Sequence, residues 1–354
     1  MAGALIQPAE VLLSKRVQEM VINGEEPPAP YICREGDSTE EDDGSVESPI
    51  PIVDLSLLSL SAPCGDDNED ELHKLKSALC SWGCFQAIGH GIPSSFLDEI
   101  RQVAKEFFGQ PMEEKKKYAK TVTEFEGYGA DPVPEEGQPL DWSDRLFLDV
   151  YPEDKQKLKF WPEKPDSFRD ILKEYTEKMK MVTKLTSKAM AKSLNLEENC
   201  FLDQFGEQGP LQARFNYYSR CQRPDLVLGL KPHSDGSGYT IILQDEVGLQ
   251  ILKDDKWHTV PQNPHAILVL MADQMEIMTN GIFKSPVHRV LSNSEKERVS
   301  LAVFYTPEAG KEIGPVDDLV NVERPRVFKN VKDYADLHWG YYQRGTRALH
   351  TVQV

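Results

Sequence analysis

Leu211-Gln-Ala-Arg-Phe-Asn-Tyr-Tyr218, Tyr239-Thr-Ile-Ile-Leu243, Leu249-Gln-Ile-Leu252, Trp257-His-Thr-Val260, Ala266-Ile-Leu-Val-Leu-Met271, Val287-His-Arg-Val-Leu291 and Val299-Ser-Leu-Ala-Val-Phe-Tyr305 follow one another as short β-rich runs. Gly248, Asn263-Pro264, Asn280-Gly281 and Asn293 punctuate them. Short strands separated by turn residues favour a β-barrel or a double-sheet jelly roll. Upstream the pattern is mixed. Ile50 to Asp54 and Cys84 to His90 have strand composition, whereas Val11 to Ile22, Asp70 to Trp82, Pro93 to Tyr118 and Asp166 to Leu194 carry apolar residues at helical spacing. In the Pro93 to Tyr118 segment, Lys115 to Lys117 fall on the expected exposed side. Val331 to Tyr342 is helical in pattern again, and no internal repeat is visible. The fold class expected is α+β, with a jelly-roll core flanked by helices and a helical and β N-terminal region.

The 354-residue chain holds 40 basic and 58 acidic side chains, a formal charge of −18. A protein that neutralises phosphates clusters Lys and Arg, so this balance argues against nucleic acid and anionic membranes as partners. Glu40 to Asp43 and Asp66 to Glu71 lie among Gly, Ser and Pro and read as solvated loop. Hydrophobic residues make up 40%, enough for a large core, yet no run reaches the ~18 apolar residues of a membrane span. Met1 to Pro8 lacks a basic segment followed by an apolar one, so the expectation is a soluble, cytoplasmic, monomeric chain. Its six cysteines, Cys33, Cys64, Cys80, Cys84, Cys200 and Cys221, are scattered and read as reduced thiols.

His233-Ser-Asp235 stands just before a β-rich run, where alternation would put an imidazole and a carboxylate on one face. Such a triplet alone carries little, since it arises by chance in many chains. A second imidazole at His288 would complete two His and one carboxylate, the facial arrangement of non-haem Fe(II) oxygenases. That set leaves Fe(II) with a charge of about +1 and about three coordination positions open. Arg298-Val-Ser300 offers a guanidinium fork and a hydroxyl on one strand face, and Asn216-Tyr-Tyr218 pairs Asn216 with Tyr218 in the same way. A metal facing a buried Arg, Ser and Tyr suits a dicarboxylate.

With these residues the sequence strongly resembles the plant 2-oxoglutarate and Fe(II)-dependent dioxygenases, the family of anthocyanidin synthase, flavonol synthase and the alkaloid O-demethylases. The likeness covers most of the chain. It runs through Ile50-Pro-Ile-Val-Asp54, Trp82-Gly-Cys-Phe-Gln-Ala-Ile-Gly-His-Gly91, Phe107-Phe108 with Glu114-Lys-Lys-Lys117, and Asp141-Trp-Ser-Asp-Arg-Leu-Phe147. It continues through Asn216-Tyr-Tyr218, His233-Ser-Asp235, Gly248-Leu-Gln250, Thr279-Asn-Gly281, His288-Arg-Val290 and Arg298-Val-Ser300. One departure is Ser219, where the family usually has Pro after the tyrosine pair.

The resemblance implies a double-stranded β-helix core with iron held by His233, Asp235 and His288. It implies that Arg298, Ser300 and Tyr218 hold the distal carboxylate of 2-oxoglutarate, with Asn216 beside it. O2 would be the oxidant, ascorbate the accompanying reductant, and succinate and CO2 the co-products of oxidising a small molecule by hydroxylation or O-demethylation. Desaturation, ring closure, the ascorbate-using ethylene-forming chemistry and a silent ligand-binding protein on the same fold are the alternatives.

The division expected is residues 1–49 as a helix and acidic segment, 50–165 as an N-terminal dioxygenase region and 166–205 as a support helix. Residues 206–310 form the Fe(II)/2-oxoglutarate jelly roll and 311–354 a helical tail. Strand alternation carries Arg298, Ser300, Ala302 and Phe304 inward, so Phe304 is a candidate for stacking on substrate. Phe125, Tyr128 and Phe147, in or beside the Gly127 to Gly137 loop, are candidates for the opposite wall. Trp339, Tyr341 and Tyr342 are candidates for a lid, and such a pocket suits a planar or polycyclic molecule. His90 reads as structural, His258 and His265 as hairpin residues, and His73, His338 and His350 as solvent-facing. Met271, Met275 and Met278 read as core.

Overall fold

The computed structural model describes residues 15–33, 50–59, 66–121, 124–131 and 138–354. In chain order the main elements are α1 (Val17–Ile22), β1 (Ile52–Asp54), α2 (Asp66–Ser81), β2 (Cys84–Ile88), α3 (Ser94–Phe108), α4 (Met112–Lys116), β3 (Gly127–Gly129) and β4 (Asp144–Tyr151). There follow α5 (Phe168–Ser193), α6 (Cys200–Phe205), β5 (Leu211–Tyr218), β6 (Leu228–His233), β7 (Tyr239–Gln244), β8 (Leu249–Lys253), β9 (Lys256–Thr259) and β10 (Ile267–Met271). The chain closes with α7 (Asp273–Met278), β11 (His288–Leu291), β12 (Arg298–Tyr305), the short pair β13 (Glu312–Ile313) and β14 (Val331–Lys332), and α8 (Tyr334–Gln343).

One sheet has the order β1-β2-β10-β7-β12-β5-β4-β3, and a second has the order β6-β11-β8-β9. This is the expected jelly roll with helices around it. Strands from residues 50–165 sit in the same sheet as strands from residues 206–310. At its centre β12 lies antiparallel to β5 without a slip, from Arg298 opposite Tyr218 to Tyr305 opposite Leu211.

Because side chains alternate along a strand, this pair has two distinct faces. Leu211, Ala213, Phe215, Val299, Leu301 and Val303 join the core cluster that also contains Leu172, Tyr175, Met179 and Val182 of α5. The other face, with Tyr218 and Ala302, joins Leu230, Leu249 and Val290 of the second sheet. The large sheet is therefore helix-packed on one side and open to the cavity on the other. Met271, Met275 and Met278 are fully buried core, as expected.

Several readings are corrected. Strands β3, β4 and β6 are not evident from the sequence, because Gly127 to Gly129 lacks strand composition, Asp144, Arg145 and Asp149 break up the apolar pattern of β4, and Gly229, Lys231 and Pro232 that of β6. His233 ends β6 and Asp235 lies in the following turn, so the turn and not strand alternation brings the two together. Asp66 to Glu71 is helical, not loop: the carboxylates of Asp67 and Glu69 in the first turn complement the positive end of the helix dipole. Glu71 also accepts from the Asp54 N–H at 2.6 Å. Gly109 to Pro111 breaks the Pro93 to Tyr118 segment into α3 and α4, and Lys115 is buried, donating to Gln18 Oε1 at 2.7 Å and to the Phe108 carbonyl at 2.6 Å. Val331 and Lys332 form a strand ahead of the tail helix. The expectations for Val11 to Ser14, for the acidic segment Arg34 to Pro49 and for most of the Gly127 to Gly137 loop beyond Asp131 lie outside the described residues.

Asp144 at the start of β4 ties α1 to the sheet, accepting from the backbone N–H groups of Gln18 (2.9 Å) and Val17 (3.3 Å). Asp144→Ala strands two buried donors, and we expect a loss of about 1–3 kcal/mol in urea unfolding. Burial pushes the Asp144 carboxyl up to about 6. The folded state thus holds a proton that the unfolded chain releases near its ordinary value of about 3.9. The contribution of Asp144 to stability therefore falls as pH rises from about 4 to about 6, and Asp144→Asn should flatten that part of the pH–stability curve.

Candidate active site

Between the two sheets lies a cavity of about 550 Å³ lined by residues of β5, β7, β12, β6, β8, β11 and α8. At one side His233, Asp235 and His288 converge, with one potential ligand atom from each within 4.8 Å of the others. His233 Nε2 stands 3.5 Å and His288 Nε2 3.7 Å from Asp235 Oδ1. Each Nδ1 turns to a backbone carbonyl: His233 to Lys231 at 2.8 Å and His288 to Pro286 at 3.4 Å. That leaves the Nε2 lone pairs aimed at a common point. The backbone explains the meeting, since His288 of β11 pairs directly with His233 of β6.

Burial, reinforced by the neighbouring His233, pushes the His288 imidazole down to about 4, so it stays neutral and able to ligate. Burial alone would raise Asp235, but His288, His233 and the Thr240 hydroxyl together hold it well below the usual carboxylate range. Two imidazoles and one carboxylate fit a divalent first-row metal with open positions. Thr240 Oγ1 donates to Asp235 Oδ2 at 2.5 Å, fixing which carboxylate oxygen faces the metal.

Along β12, Arg298, Ser300, Ala302 and Phe304 all line the cavity, opposite Tyr218, Asn216, Arg214 and Gln212 of β5. Arg298 Nε donates to the Glu246 carbonyl at 3.0 Å, Nη2 to Gln244 Oε1 at 2.9 Å and Nη1 to Ser300 Oγ at 3.4 Å. Each terminal nitrogen so keeps one hydrogen uncommitted among the described residues, the fork that a carboxylate takes. The guanidinium lies 4.9 Å from the Tyr218 ring centre. Gly248 makes room for it: a Cβ there would stand 3.1 Å from Arg298 Cδ, and its φ of +146° suits glycine.

The rest of the wall is aromatic. Phe125 meets Phe147 edge-on at 4.7 Å and Trp339 at 4.8 Å, and Phe147 stacks on Phe304 at 6.2 Å. Trp339 stacks on Tyr342 at 5.3 Å, and Tyr342 meets the His233 ring at 5.4 Å. Two expectations change. Tyr128 does not reach the cavity: it is fully buried against Phe107 and Phe108, with its hydroxyl 3.4 Å from Gln18 Oε1, because β3 turns this residue toward the helices. Tyr341 packs against His350, away from the cavity that Trp339 and Tyr342 line.

His338 is not solvent-facing. It lines the cavity and pairs through Nε2 with the Ser234 carbonyl at 2.8 Å. The approach is so close that a Cβ on Gly236 would lie 2.4 Å from His338 Cγ. Buried Asp273 holds α8 in place. It accepts from Ser285 Oγ (2.7 Å), Tyr334 OH (2.8 Å) and Arg347 Nη2 (3.0 Å), while its own N–H donates to the Asp235 carbonyl at 2.9 Å. Residues so far apart in sequence gave no local signal. Gln212 and Arg214 could have been found, since they continue the alternation of Asn216 and Tyr218.

We expect Thr240→Val, which keeps the shape and removes the bond to Asp235, to weaken Fe(II) affinity about 10- to 100-fold in an equilibrium titration, with the fold retained by circular dichroism.

Residues 211–307 match the model of the 2OG-Fe(II) oxygenase superfamily, and residues 50–164 match that of the non-haem dioxygenase in morphine synthesis N-terminal region. Protein SRG1 of Arabidopsis thaliana is 40% identical over 333 residues, covering 92% of each chain. Codeine O-demethylase of Papaver somniferum is 40% identical over 316 residues, 88% of this chain and 86% of its own. The crystal structure of JOX2 in complex with 2OG, Fe and JA superimposes with a TM-score of 0.84 at 33% identity, over 96% of this chain and 98% of that one. The converging His-Asp-His set inside a jelly roll and these likenesses agree: the chain belongs to the 2-oxoglutarate and Fe(II)-dependent oxygenase superfamily and is a dioxygenase of that kind.

Proposed function

We propose that this dioxygenase oxidises a small planar or polycyclic aromatic metabolite by hydroxylation or O-demethylation, with succinate and CO2 as co-products. One observation carries the reading: the wall of Phe125, Phe147, Phe304, Trp339 and Tyr342 shares a single cavity with His233, Asp235 and His288. Offset and edge-on ring contacts favour a flat aromatic guest, and the apolar wall excludes water from it. A relative named codeine O-demethylase supports the O-demethylation reading.

His233, Asp235 and His288 hold Fe(II), which together with 2-oxoglutarate and O2 supplies the oxidising chemistry. Arg298 and Ser300, with Tyr218 and Asn216 beside them, hold the distal carboxylate of 2-oxoglutarate and so fix its orientation. Phe304, Phe147 and Phe125 present one substrate carbon to the metal face. When that carbon belongs to an O-methyl group, hydroxylation gives a hemiacetal that releases formaldehyde, so the carbon offered decides between the two outcomes. In this division of labour residues 50–165 give one aromatic wall, 206–310 the metal and co-substrate, and 311–354 the lid.

The test is succinate release from 2-oxoglutarate by the purified protein with Fe(II) and ascorbate, across phenolics, alkaloids and terpenoids. Acceptor-dependent release that His233→Ala abolishes is expected. Absence of release throughout, with ligand binding intact in His233→Ala, would make the chain a binding protein instead. Arg298→Ala should raise the KM for 2-oxoglutarate about tenfold or more and leave that for substrate nearly unchanged, because it removes a charge-assisted fork. Equal rises in both would show that Arg298 serves another role.

A further inference from the structure

Asp235 stands in an irregular turn, residues 234–238, that joins β6 to β7 outside any strand. Each carbonyl of this turn nevertheless accepts a hydrogen bond from another part of the chain. Most go to the start of α7, where the first N–H groups of a helix lack partners within it. Ala272 N–H donates to Gly238 at 3.0 Å and Asp273 N–H to Asp235 at 2.9 Å. Gln274 donates to Ser237 through its N–H at 3.1 Å and to Gly236 through Nε2 at 2.7 Å. The Ser234 carbonyl, between His233 and Asp235, accepts instead from His338 Nε2 of α8 at 2.8 Å.

α8 is held differently from α7. Of its residues only Tyr334 is buried, so side-chain hydrogen bonds do much of the holding. Tyr334 OH near its start and Arg347 Nη2 beyond its end both donate to the Asp273 carboxylate, at 2.8 and 3.0 Å. Arg347 Nη2 also donates at 2.9 Å to the carbonyl of Ser285, which leads into β11 and His288. A helix with few buried contacts belongs to the part of a structure that opens most readily. The same helix carries Trp339 and Tyr342 of the aromatic wall. α8 therefore grips the metal-binding turn and closes the cavity at once.

We propose that His338 is a positioning residue for Asp235, and that through it the docking of α8 and the filling of the metal site favour each other. A metal that needs the turn in its docked form binds more tightly when α8 is docked, and by reciprocity its binding holds α8 down by the same factor. The aromatic wall is then completed around a loaded site and stays looser around an empty one. This coupling rests on His233, Asp235 and His288 as the metal ligands, and not on which molecule the cavity takes.

The experiment titrates Mn(II) alone into the full chain, without 2-oxoglutarate, and follows amide hydrogen exchange of residues 334–343 with and without Mn(II). His338→Phe keeps an aromatic ring and removes the donor, whereas His338→Gln keeps an N–H near the position of Nε2. The Mn(II) affinity is expected to fall about tenfold in His338→Phe and to be restored in His338→Gln. Mn(II) is expected to slow exchange in α8 about tenfold in the unaltered chain and to have no such effect in His338→Phe. Exchange in α8 that is indifferent to Mn(II) in the unaltered chain overturns the proposal, and that measurement needs no variant to fold. An Mn(II) affinity that His338→Phe leaves unchanged also overturns it, since His338 then only packs α8. Mn(II) binding that survives His233→Ala would overturn the metal ligands assigned above and the coupling with them. A coupling that fails while His233→Ala still abolishes Mn(II) binding sinks this inference alone.

Discussion

The unslipped antiparallel pairing of β5 with β12 is the constraint on which the molecule depends. Eight consecutive residue pairs, from Arg298 opposite Tyr218 to Tyr305 opposite Leu211, fix what each strand shows to either side. A slip of one residue would exchange Phe215, Leu301 and Val299 for Asn216, Ser300 and Arg298, putting charge against α5 and hydrocarbon into the cavity. The apolar face packed on the helices thereby enforces the polar order of the other face.

That order was legible in the sequence because it rests on a period of two. Arg298, Ser300, Ala302 and Phe304 stand where alternation places them, as do Asn216 and Tyr218. His233 and Asp235 were read through the same rule and meet for a different reason, a turn after β6 that single-sequence patterning does not reveal. The convergence of His288 was legible only through the family likeness, since strand pairing across the barrel has no local signature. Tyr128 went astray because aromatic composition does not say which way a three-residue strand faces. The roles of His338, Asp273 and Gln274 were invisible because each is defined by partners far away in the chain.

The charge of the chain takes on a different meaning beside this interior. The chain carries a formal charge of −18, whereas its cavity holds Arg298, Arg214 and a place for a divalent cation. A net negative charge does not draw carboxylates from a distance; it disfavours their approach at low ionic strength and is screened beyond about 8 Å in physiological salt. Capture therefore relies on the short-range fork of Arg298 inside the barrel, where water is excluded and each charge-assisted bond counts for more.

The contact of Phe125 with Trp339 joins positions 214 residues apart, and neither residue belongs to the segment from His233 to Ser300 that holds the metal ligands and the Arg298 clamp. Reactivity and selectivity are thus written in separate stretches of the chain. Substitutions at Phe125, Phe147 or Trp339 can reshape what the cavity accepts without moving a metal ligand, so a lineage built on this scaffold can change its substrate by exchanging wall residues while its oxidising apparatus is inherited intact.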